Sequence, residues 1–137
     1  AERLLLAHML HNMDVVDRIR QEEDENPFVR EDYMAIYIHL IGFYEEHQKA
    51  DYQRFAEVIG DRELRKIIME AALVERDPDH TEEEISDCLK QIRKFRIKQI
   101  IQDKKHAIQE AEKMHDLNSA MQLLKEVIDL KNSLSKV

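Results

Sequence analysis

Tryptophan is absent, and glycine, proline and cysteine are nearly so, with two, two and one in 137 residues. Sheets and turn-rich folds need more chain-reversing residues than this, so the scarcity excludes them. A single cysteine, Cys88, excludes an internal disulfide and a multi-cysteine zinc site. Its place among apolar positions marks it as a small core residue. No apolar run approaches the ~20 residues that cross a bilayer, and no signal peptide opens the chain. The two glycines, Gly42 and Gly60, cannot make a phosphate-cradling loop. No serine sits in a G-x-S-x-G elbow. With no catalytic constellation and no metal set, the chain is expected to be neither an enzyme nor a metalloprotein by itself.

What remains is 43% apolar and 36% charged, with a net charge of −8. Alanine, glutamate, lysine, leucine and isoleucine dominate, which points to an all-α protein. A domain built mainly to hold nucleic acid is usually basic, so no direct nucleic-acid binding is expected. The chain opens at Ala1-Glu2 without an initiator methionine and already in helical phase. It is therefore expected to be an excised piece whose function makes sense beside other domains.

Apolar spacing predicts a first helix over 2–11 with Leu4, Leu5 and Met9 inward. Asn12 can cap a second, carrying Met13, Val16 and Ile19. A polar loop from Glu22 ends at Asn26-Pro27. A third helix follows, with Tyr33, Ile36, Tyr37, Leu40, Phe43, Tyr44 and His47 at helical spacing. Asp51 caps a short fourth helix that Gly60 ends. Asp61 caps a fifth, with Leu64, Ile67, Ile68, Ala71 and Val74 inward. Seven of the eight aromatics lie between Phe28 and Phe55, so the core of this bundle centres on the third helix.

From Thr81 the chain reads as one very long helix, a tight turn at Asp116-Leu117-Asn118, and a final helix folded back. Pro78 and the Thr81-x-x-Glu84 capping box mark its start. At ~100° per residue, Ile85, Cys88, Leu89, Ile92 and Phe95 share one face. Ile97, Ile100, Ile101 and Ile108 share another. Either the helix kinks near Phe95–Ile97 or it changes neighbours there. The reading adopted is a handover from an N-terminal bundle, residues 1–96, to a C-terminal antiparallel helical hairpin, residues 97–137.

Tempting chemistry is incomplete. His8 and His11 have metal-ligand spacing but no further ligands. Glu112-x-x-His115 is half of a di-iron motif whose other half is missing. Asp77-Pro78-Asp79 reads as turn chemistry. The run Lys90, Arg93, Lys94, Arg96, Lys98, Lys104 and Lys105 is either a solvated helix joint or a contact for an acidic protein surface or nucleic acid. The sharper signal is in the last helix. Leu117, Ala120, Met121, Leu124 and Ile128 form one stripe, and Leu123, Val127, Leu130 and Leu134 form a neighbouring one. Together they exceed the ~100° arc that one packing face needs. The first stripe is expected to close the hairpin. The second, Leu123, Val127, Leu130 and Leu134, is then left for a partner.

The opening Ala1-Glu2-Arg3-Leu4-Leu5-Leu6-Ala7-His8-Met9, the Phe43-Tyr44-Glu45-Glu46 at the end of the third helix, and the long helix turning at Asp116-Leu117 share an order and spacing with a known module. Over essentially its whole length the chain resembles the C-terminal helicase-binding domain of bacterial replicative primases. The resemblance implies a globular bundle that modulates a helicase and a hairpin that docks on the N-terminal domains of the hexameric replicative helicase. It implies a monomer in the bacterial cytoplasm, at the replication fork. Zinc and magnesium are expected only in upstream primer-synthesising domains. The alternatives are the N-terminal domain of that helicase, whose fold is similar, and a small helical metal-binding protein.

Overall fold

The computed structural model describes all 137 residues as seven helices without a strand, an all-α fold. They are α1 (Glu2–His11), α2 (Met13–Glu22), α3 (Glu31–His47), α4 (Tyr52–Val58), α5 (Arg62–Ala72), α6 (Thr81–Lys113) and α7 (Leu117–Leu134). Contacts divide the chain into two units, Ala1–Ile92 and Arg93–Val137, and α6 contributes to both.

In unit 1 every residue from Leu5 to Leu10 is buried. The expected inward set of Leu4, Leu5 and Met9 is therefore too narrow, because α1 has neighbours all round. Around it α3 buries Tyr33, Ile36, Tyr37, Leu40, Phe43 and Tyr44. Rings meet at favourable separations: Phe28 with Tyr33 at 5.6 Å and Phe43 with Phe55 at 5.3 Å between centroids. The Tyr44 hydroxyl donates to the Met9 carbonyl at 2.5 Å, and burial pushes its phenol well above the usual range.

Local signals set the helix starts. Asn12, Asp51 and Asp61 each accept a backbone N–H of the first turn, from Asp14, Arg54 and Leu64. Gly60 does not cap α4. The helix ends at Val58, Ile59 follows in extended backbone, and Gly60 takes no left-handed conformation.

The start of α6 also departs from expectation. The Glu84 amide bonds to the His80 carbonyl, so Thr81 is a helical residue rather than the cap. Glu84 has another use. Its carboxylate accepts from the Asp77 amide at 3.1 Å and from Nε2 of His8 at 2.8 Å. His8 is the one buried polar residue of the chain, and this contact satisfies it. The Arg18 guanidinium pairs with Glu82, two residues before Glu84.

Ile85, Cys88, Leu89 and Ile92 are buried in the core of unit 1. Burial also raises the Cys88 thiol above its usual range, which makes it a poor nucleophile. Phe95, expected to be the fifth member of this stripe, is 54% exposed. Unit 1 ends at Ile92, one helical turn too early to cover it. The helix itself is unbroken from Thr81 to Lys113.

Unit 2 is a helical hairpin. The sheltered positions include Ile97, Ile101, Lys104, Ile108 and Ala111 on α6, and Ala120, Leu123, Val127, Leu130 and Leu134 on α7. Both sets repeat with alternating steps of three and four, the spacing of a coiled-coil seam. The turn sits slightly earlier than expected. His115 is left-handed, with φ 57, and the Asp116 amide reaches back to the Ala111 carbonyl at 2.9 Å. That is a Schellman closure of α6. Asp116 then caps α7, accepting from the Ser119 amide and hydroxyl at 3.1 and 2.7 Å. Leu117 and Asn118 accordingly lie inside α7.

Candidate functional site

The last helix carries two apolar seams, and the structure reverses their expected roles. Val127 is only 3% exposed, and Leu123, Leu130 and Leu134 are half-buried on the same side. These four residues, expected to face a partner, instead close the hairpin. Of the stripe expected to close the hairpin, Ala120 is buried as expected, while Leu117, Met121, Leu124 and Ile128 are 67, 70, 51 and 52% exposed.

Two features select the inner face. Ala120 is the buried residue of α7 nearest the turn. Lys104 Nζ donates to Glu126 Oε2 at 2.7 Å, and this ion pair sits beside Val127. Neither feature is a matter of hydrophobicity, and by hydrophobicity alone the two seams are nearly equal.

The outer seam is itself a regular array. Leu117, Met121, Leu124 and Ile128 repeat with alternating steps of four and three, and Met114, in the turn before α7, is also exposed. A helix with one coiled-coil seam occupied and a second open is shaped to receive a further helix. Exposed apolar surface of this extent and order is what interaction sites present.

Charge supports the hairpin itself. Hydrogen bonds from Ser119 hold Asp116 below the usual carboxylate range, and Lys104 does the same for Glu126. A carboxylate whose folded-state pKa is depressed contributes stability above its unfolded value, and that contribution is lost as pH falls through the folded value. Helicity at 222 nm should therefore hold above the usual carboxylate range near ~4 and fall below it. The step should shrink in a D116N/E126Q variant. An acid profile identical in that variant would contradict the assignment.

The other candidates are placed as follows. Of the basic run, Lys104 belongs to the hairpin pair, while Lys90, Arg93, Lys94, Lys98 and Lys105 are exposed and Arg96 is half-exposed. His8 is taken up by Glu84, and His11 donates from Nε2 to the Ala72 carbonyl at 2.8 Å. Asp77 pairs with Nδ1 of His80 at 2.7 Å, which holds its carboxyl below the usual range. That makes Asp77-Pro78-Asp79 a turn. His115 occupies the hairpin tip. No group of three or more His, Cys, Asp or Glu is arranged to hold a metal ion. No helix is long and apolar enough to cross a membrane.

No family model matches the chain. Individual relatives do. It is 31% identical over 135 residues to a DNA primase of Geobacillus stearothermophilus, covering 98% of this chain and 22% of that protein. It is 33% identical over 95 residues to a DNA primase of Halalkalibacterium halodurans, covering 69% and 16%. A DNA primase of Enterococcus faecalis is 28% identical over 134 residues, covering 98% and 21%. The chain thus spans about a fifth of the length of the curated relatives it matches. Nearly end to end, it is homologous to one segment of bacterial DNA primases and fits a C-terminal domain of such a protein.

Proposed function

We propose that this chain is the non-catalytic, helicase-recruiting domain of a DNA primase. The outer seam of α7 docks on helical N-terminal domains of the hexameric replicative helicase, which couples primer synthesis to unwinding. The observation that carries this reading is the open second seam, Leu117, Met121, Leu124 and Ile128, on a helix whose first seam is already used. The helicase is the partner that the family resemblance implies, and the match to primases favours this reading over a helicase's own N-terminal domain. In this reading the chain alone is a monomer, and primer chemistry, with its zinc and magnesium, belongs to other segments of the parent protein.

A leucine buried in an interface contributes about 1.5–3 kcal/mol, and central apolar anchors carry a large share of interface energy. Leu124→Asp should weaken binding to a purified replicative helicase at least about tenfold, or ~1.4 kcal/mol. Because Leu124 faces solvent, the helical signal should stay near wild type. Calorimetric titration and circular dichroism measure the two quantities. Wild-type affinity in a folded Leu124→Asp protein would remove α7 as the docking element. No binding by the unaltered chain would remove the helicase.

A further inference from the structure

The side of α6 turned away from α7 in unit 2 is unlike the rest of the protein. Lys94, Phe95, Lys98, Gln99, Gln102, Lys105, His106 and Gln109 are all exposed. At ~100° per residue they fall within one arc of about 140°, centred about 120° round the helix from the seam of Ile97, Ile101, Lys104 and Ile108. Phe95, Gln102 and Gln109 form one column at heptad spacing, and Lys98 and Lys105 form the next. Lys94, Lys98 and Lys105 make no ion pair. From Lys94 to Gln109 the sole carboxylate is Asp103, which lies about 80° round the helix from Phe95.

The units also differ in charge. Unit 1 holds eleven Lys and Arg against twenty-three Asp and Glu, net −12, and unit 2 holds ten against six, net +4. The overall value of −8 averages two opposite signs and hides the positive one. A net-acidic protein that confines its net positive charge to one unit, and sets an unpaired lysine face there, has a surface complementary to a polyanion.

We infer that this face, with Phe95 exposed among Lys94, Lys98, Gln99, Gln102 and Lys105, binds single-stranded nucleic acid. Lysines contact successive phosphates, glutamine amides reach sugars and base edges, and the Phe95 ring stacks on a base. The aromatic ring is what favours this occupant over an acidic protein surface. Charge pairing alone needs no exposed ring, whereas single-strand sites combine a basic track with aromatic platforms. The face spans roughly 22 Å along the axis, at 1.5 Å per residue, enough for several nucleotides. It lies on a different helix from the proposed helicase seam and stands independently of that reading.

The test is anisotropy of a fluorescein-labelled oligo-dT of about a dozen nucleotides, titrated with the full chain at low salt. Binding should saturate, and the log–log salt slope should be about −2, as three lysines at ~0.7 each would give. Phe95→Ala should weaken binding at least about fivefold, and Phe95→Tyr should restore it. The K98E/K105E variant should abolish it, and Leu124→Asp should leave it unchanged. All these positions face solvent, so circular dichroism should not move. Labelled polyglutamate serves as the second probe. If it binds as well as oligo-dT and Phe95→Ala alters neither, the face takes an acidic protein and the inference is overturned. Absence of saturable oligo-dT binding at low salt overturns it as well.

Discussion

Val127→Asp is expected to unfold the hairpin and leave unit 1 intact. Val127 lies in the seam between α6 and α7 and is among the few residues of unit 2 that are fully buried. The substitution removes apolar burial worth roughly 1.5–3 kcal/mol and places a carboxylate where water cannot reach it. Unit 2 has little reserve. Its one aromatic, Phe95, is not in the seam, and an isolated helix pair of this size is marginal in water. A thermal melt followed at 222 nm should lose the hairpin's share of the signal at low temperature. The transition of unit 1 should remain cooperative at its original midpoint. Helicase binding should vanish with the hairpin, which separates this variant from Leu124→Asp, where binding falls and helicity does not. A folded Val127→Asp hairpin would mean that the seams of α7 are the other way round.

Ile36→Ala should cost unit 1 about 2–5 kcal/mol, the range for deleting a large buried aliphatic side chain. Ile36 is completely enclosed, in α3 beside the aromatic core. Set against a total stability of about 5–15 kcal/mol, this is a large fraction. For a domain of this size the midpoint should drop by ~8 °C or more. Ile38, two residues on, supplies the control. It faces solvent on the same helix, so Ile38→Ala should change stability by less than ~0.5 kcal/mol. Differential scanning calorimetry of the two variants gives the comparison. Equal losses would contradict the placement of α3's inner face.

The helix order was legible in the sequence because its signals are local. Asn12, Asp51, Asp61 and Asp116 each cap a helix using atoms within three residues of themselves. What failed depended on distant partners. Thr81-x-x-Glu84 is not a capping box because Thr81 is already helical, and the Glu84 carboxylate goes instead to the Asp77 amide and to His8, remote in sequence. Phe95 is in phase with Ile92, and nothing in the pattern says that unit 1 has run out of side chains to cover it.

The inward face of α7 was misread for a related reason. Two seams of equal apolarity lie on α7, and the choice between them rests on Ala120 and on a Lys104–Glu126 pair formed across the turn. Hydrophobic periodicity carries no information about such a pair. The basic run of α6 was visible in the sequence, but the opposite charge of the two units was obscured in another way. Net charge is a sum, and the acidic residues of unit 1 outweighed the lysines of unit 2.

The enclosure of α1 has a consequence for how the protein is made. Within this segment α1 is made before the helices that enclose it, and His8 finds its partner at Glu84, 76 residues later. Contacts this distant along the chain must wait for the intervening loops to close, which slows folding. The segment from Leu4 to Leu10 therefore remains uncovered during synthesis until the first turns of α6 emerge. At ~5–20 residues per second this lasts several seconds. An apolar stretch exposed that long is a natural point of capture by chaperones on the nascent chain, and a natural point of aggregation when α6 is cut short.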